Sequence, residues 1–174
     1  MSPQIIFPLD LVLGYVAWLL CFAAYVWPRL KAMDSFSAHR AIATLHSFRF
    51  IGLVFLVPGV VGAHLPTAFA GFAAYWDLAT ALLAILALLA VRIRPLFWLF
   101  VIAFNSVGTI DLVLDYHHAT GSGLRAMPGE LGAAYIIPVI IVPLLMITHV
   151  AAFYLLIRSK SLAARTFPTG SNRS

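Results

Sequence analysis

Apolar residues run in five long blocks, separated by short stretches where charge, glycine and proline collect. The blocks lie near residues 5–27, 41–63, 70–91, 96–116 and 132–157. Each supplies roughly the 20 apolar residues that a helix needs to cross a hydrocarbon core about 30 Å thick. Inside lipid only helices and closed barrels satisfy their own backbone groups. The pattern therefore predicts an all-α, polytopic transmembrane helix bundle with five spans. It forms a single domain over residues 1–166, followed by a polar tail, 167–174, expected to be disordered. Composition supports the reading. The chain is 63% apolar and only 10% charged, against about 25% charged residues in a soluble domain.

Lysine and arginine collect at alternate ends of these blocks. Arg29, Lys31 and Arg40 occupy the first connection, Arg92 and Arg94 the third, and Arg158, Lys160, Arg165 and Arg173 the C-terminal end. The second connection has no basic residue and the fourth has only Arg125. The positive-inside rule then places the N-terminus outside and the C-terminus in the cytoplasm, in what is expected to be a bacterial inner membrane. No Lys or Arg precedes Arg29, so the first block reads as a retained span rather than a cleaved leader. Trp27, Trp76 and Trp98 fall at predicted span ends, as an aromatic belt would. The net charge of +5 is thus an orientation signal, with no basic patch of the kind that nucleic acid requires.

Polar residues within the blocks are costly in lipid and mark candidate chemistry. His46 and Arg49 stand three apart in the second block, Asn105 lies mid-way along the fourth, and His149 sits among apolar neighbours in the fifth. Counted at helical rise, all four lie in the inner half of the membrane. They form one candidate binding site if the second, fourth and fifth spans are neighbours. Pro58, Pro138 and Pro143 should bend two of those spans and free the carbonyls of Val54, Ala134 and Val139. Ser106, Gly108 and Thr109 permit close helix approach. Asp77, Asp111 and Asp115 fall in the outer half as a second polar site, read either as solvated helix ends or as a cation-attracting mouth. The residues Asp34-Ser35-Phe36-Ser37 should cap the helix of the second block.

This constellation suits a small integral membrane protein that holds a cofactor or a lipid-soluble molecule, quinone-, isoprenoid- or haem-like. His46 and His149 meet the minimal requirement of haem b for two imidazoles, with Arg49 available to a propionate. A transporter or channel subunit for a small solute or cation, and a non-catalytic scaffold, are the alternatives. Beyond the bilayer, a homo-oligomeric partner and a small hydrophobic ligand are expected, and nucleic acid is not. No metal site is assigned. The chain lacks a phosphate-binding glycine loop, a Cys-x-x-Cys pair, a His-Glu-x-x-His helix and a nucleophile elbow, and the question of catalysis stays open. The lone Cys21 reads as an inert thiol.

Overall fold

The computed structural model describes residues 3–121 and 127–166, and every element in them is helical. Arg125 and the tail 167–174, for which an outer position and disorder were expected, lie outside the described residues. Four helices are long and apolar enough to cross a membrane, Gln4–Ala32, Thr67–Arg92, Arg94–Ala119 and Ile137–Arg158. By length and composition they mark the chain as a membrane protein.

The first rod is α1 (Pro3–Cys21), a π turn (Phe22–Val26) and α2 (Trp27–Ala32). Pro28 has no N–H to extend the ladder, and the wide turn falls just before it, with Trp27 N–H donating to the Phe22 carbonyl five residues back.

The second rod departs from expectation. It opens as predicted, on the Asp34 side chain, whose Oδ1 accepts from the N–H groups of Phe36 at 3.0 Å and Ser37 at 3.1 Å. Then α3 (Ser35–His46) tightens at Ser47 into a 3₁₀ helix that runs ten residues, to Leu56. Runs beyond about four residues are uncommon, because the bonds are poorer and side chains three apart eclipse. Here that eclipse puts His46, Arg49, Gly52 and Phe55 on one stripe, and all four are buried. An α-helix would turn each third residue away by about 60° and carry the last of them to the opposite side. Pro58 does not bend this rod mid-span. It lies beyond the helix end, where Val57 N–H already takes the Val54 carbonyl at 3.1 Å. The second block therefore spans 35–56 rather than 41–63, and it is absent from the four continuous apolar helices.

Helices α4 (Thr67–Leu89) and α5 (Arg94–Gly121) form the packed centre. The buried face of α4 is almost entirely small: Ala70, Ala73, Ala74, Thr80, Ala81, Ala84 and Ala87, interrupted by Asp77. Small residues at this spacing let backbones approach closely in lipid. Trp76, expected at a span end, lies well inside α4.

The last rod begins later than the sequence suggests. Gly132 has φ +53°, and a Cβ there would strike the Val60 carbonyl. The chain bends at this glycine within a 3₁₀ segment (Pro128–Tyr135), and a π turn (Ile137–Ile141) then leads into α6 (Val142–Thr166). Pro138 and Pro143 do open the helix, and α1 closes it again. Trp18 Nε1 donates to the Ile140 carbonyl at 2.8 Å. Gly14 has no side chain where the Val139 carbonyl, freed by Pro143, packs against it.

Candidate functional site

Arg49 is 2% exposed and is held by three other rods. Its Nε donates to Asp77 Oδ1 of α4 at 2.6 Å, and its Nη2 lies 2.6 Å from the same oxygen. Nη2 also donates to Asp111 Oδ2 of α5 at 2.5 Å. Nη1 faces the Gly108 carbonyl at 3.3 Å and His149 Nε2 of α6 at 3.2 Å. The planar guanidinium reaches all these acceptors at once, which the point charge of a lysine would not. Two glycines make the space. A Cβ on Gly52 would overlap the Asp77 carboxylate, and one on Gly108 would overlap Arg49 and His149.

The hydrogen-bond network assigns the imidazole tautomers. Asn105 Nδ2 donates to the Val101 carbonyl at 2.8 Å, so its Oδ1 accepts from His149 Nδ1 at 2.9 Å. His149 Nε2 is then a lone pair, matched to the Arg49 N–H. Thr148 Oγ1 donates within its own helix, to Leu144 and Leu145 carbonyls, and so accepts from His46 Nε2 at 3.0 Å. The His149 imidazole is neutral in this arrangement, and His46 Nδ1 is buried with no hydrogen-bond partner among the described residues. Their rings stack with centroids 4.1 Å apart and a tilt of 35°, backed by Phe104.

The four expected residues, His46, Arg49, Asn105 and His149, do converge, but on one another. They fill a closed polar core, and none of the four is among the described residues that line the cavity next to it. The stacked rings also do not fit bis-imidazole haem, which needs a nitrogen aimed at iron from each face of a porphyrin. Here Nε2 of each ring is already bonded to Arg49 or Thr148, and one ring lies against the other.

The expected separation of an inner basic site from an outer acidic one also fails. Asp77 and Asp111 lie directly on Arg49. Depth was counted at the α-helical rise of about 1.5 Å, whereas the 3₁₀ segment climbs about 2.0 Å per residue, and the arginine side chain adds its own reach. The third span, left out of the inner site, supplies Asp77, one of its two anions.

Open space lies next to this core. A cavity of about 280 Å³ has apolar walls that include Phe7, Phe55, Phe69, Leu131 and Ile137, with Asp77 and Asp115 as its acidic end. Asp111 Oδ1 and Asp115 Oδ1 are buried and have no hydrogen-bond partner among the described residues. The cavity is thus lined both by aromatics of the first rod, the second rod and α4 and by Asp77 of the ion-pair network. The outer histidines do not join it. His117 and His118 are exposed, His118 against Phe72, and no group of three metal-ligating side chains gathers among the described residues.

Residues 6–157 match a family described as a domain of unknown function, DUF8737. The chain belongs to this family. No curated protein and no solved structure matches it. The family description carries no activity, and the reading of the site rests on its geometry.

Sequence reasoning missed the cavity walls Phe7 and Phe69 and the glycine contact at Gly52. It also read Asp77 as part of a solvated helix end or a cation-attracting mouth, apart from Arg49. The alanine stripe of α4 was the available signal. Asp77 continues its spacing, so the face that buries the alanines also buries the acid.

Proposed function

We propose that this protein binds a small lipid-soluble molecule within the membrane. The molecule occupies the cavity beside Arg49, with its apolar body against Phe7, Phe55 and Phe69 and its polar end toward Asp115 and Asp77. The observation that carries the reading is the combination of apolar walls with an unpartnered carboxylate at one end, the usual make-up of a ligand site. The Arg49 network is the rigid floor that positions the acids, rather than the pocket itself.

The same reading gives five crossings. The rod 35–56 combines twelve α-helical with ten 3₁₀ residues, about 38 Å of rise, enough for a hydrocarbon core. With five crossings the basic residues Arg29, Lys31, Arg40, Arg92, Arg94 and Arg158 share one side, the cytoplasmic one, in a bacterial inner membrane. Exposed apolar side chains along α1 face lipid or a second copy of the chain.

Native mass spectrometry of the protein released from nanodiscs tests the binding. A bound species of discrete mass that a Leu112→Trp variant fails to retain is the expected result. Equal retention by that variant, which fills the cavity, refutes the site. Topology is read by membrane-impermeant thiol labelling in a Cys21→Ser background. A cysteine at His64 should label from outside intact cells and one at Met33 should not, and the reverse pattern overturns the orientation.

A further inference from the structure

We infer that the occupant of the cavity is a lipophilic cation, a compact hydrophobic amine whose ammonium group donates to Asp115. This rests on the binding reading above and adds the chemical class of the ligand. The argument is one of charge balance in a medium that solvates charge poorly. One guanidinium, Arg49, pairs with two carboxylates, Asp77 and Asp111, and a third, Asp115, lines the adjoining cavity. Arg49 is committed to the first two. Asp115 faces the cavity with a buried oxygen that no described residue satisfies.

No other described lysine or arginine offers itself. Arg29, Lys31, Arg40, Arg92, Arg94 and Arg158 all belong to the opposite ends of the rods. The other acids of this end are taken. Asp10 Oδ2 accepts from Tyr135 at 2.8 Å, and Glu130 Oε2 accepts from the His64 N–H at 2.9 Å. His149 is neutral by its hydrogen bonds, as derived above, and His46 is engaged with Thr148.

The walls decide what kind of cation fits. An inorganic ion would need several oxygen or nitrogen ligands to replace its water, and no such group gathers among the described residues. Apolar walls instead suit a hydrocarbon body. The rings of Phe7, Phe55 and Phe69 add the attraction that aromatic faces hold for an ammonium. A neutral alcohol of the same shape would fill the space and give Asp115 one hydrogen bond, but would bring it no counter-charge.

The test compares two probes with the same rigid cage, 1-aminoadamantane and 1-adamantanol. Each is titrated calorimetrically into the full chain in nanodiscs at pH 7, with empty nanodiscs correcting for partition into lipid. The amine is expected to bind at least about tenfold more tightly, the ratio that one charge-assisted hydrogen bond supplies. Asp115→Asn should lower amine affinity about tenfold, toward that of the alcohol. Equal affinity of amine and alcohol for the native chain overturns the cation proposal and leaves the binding reading standing. Absence of binding by both probes, or undiminished binding of both to Leu112→Trp, refutes the binding reading together with the cation proposal. The comparison on the native chain decides even where Asp115→Asn fails to fold.

Discussion

Gly108 and Arg49 are in contact through the glycine's missing side chain: the Gly108 carbonyl faces Nη1 at 3.3 Å, and a Cβ at Gly108 would fall 2.5 Å from that same nitrogen. A single methyl group is thus incompatible with the buried cation. Gly108→Ala should destabilise the protein by about 1–3 kcal/mol, the usual cost of overpacking a core. Thermal unfolding in detergent would show it. An unchanged midpoint would mean that Arg49 does not occupy this position.

Removing the cation should cost more. Arg49→Met leaves Asp77 and Asp111 buried without their counter-charge, and one-sided loss of a buried pair costs about 3–5 kcal/mol. Arg49→Lys should recover little of this, because an ammonium cannot meet Asp77, Asp111, the Gly108 carbonyl and His149 together. Denaturation midpoints of the two variants check the ordering. Full recovery by lysine would show that charge alone matters and the fork does not.

His149 and His46 belong to the floor. His149→Ala deletes the acceptor of Arg49 and the donor to Asn105, and opens a void beside Phe104. A loss of stability of about 2–4 kcal/mol is expected. Ligand affinity of the folded fraction should stay within about threefold of native, since neither ring lines the cavity and small effects are the rule away from contacts. Loss of binding in a folded His149→Ala protein would return the site to the inner half of the bundle. The visible spectrum of the purified protein should show no Soret band that shifts on reduction.

Asp34 gives a pH dependence with a definite sign. Hydrogen bonds from Ser37, foremost, and from Phe36 hold its carboxyl below the ordinary value of 3.8. A depressed folded-state value means that the ionised cap stabilises α3 fully above the ordinary carboxylate range. That contribution is lost as pH falls through the lowered value. The difference in unfolding midpoint between native and Asp34→Ala proteins should therefore be constant near neutrality and shrink below about pH 4. A difference that grows on acidification would contradict the cap.

Much of this was legible in the chain. Block lengths predicted the helical rods, Asp34 the start of α3, and the isolation of polar side chains in apolar runs picked out His46, Arg49, Asn105 and His149. What was not legible was helix type. A spacing of three between His46 and Arg49 reads as a shared face in an α-helix and as a strict repeat in a 3₁₀ helix, and only the second extends to Gly52 and Phe55. Nor does sequence show which rods touch. Asp77 and Arg49 are separated by 28 positions, and their pairing needs the alanine face of α4 to meet the glycine of the second rod. Pro58 read as a kink because the end of the helix, two residues earlier at Leu56, carries no signal of its own.

The ten-residue 3₁₀ stretch has a mechanical meaning. Relaxed to α-helix, it would unwind by about 20° per residue and shorten by about 0.5 Å per residue. Over ten residues that is about half a revolution and about 5 Å of travel. Phe55 would leave the cavity wall and Arg49 its two acids. The ion pairs therefore act as a ratchet pawl on a screw thread: they fix the pitch of the helix, and through the pitch they hold an aromatic wall two turns away in place.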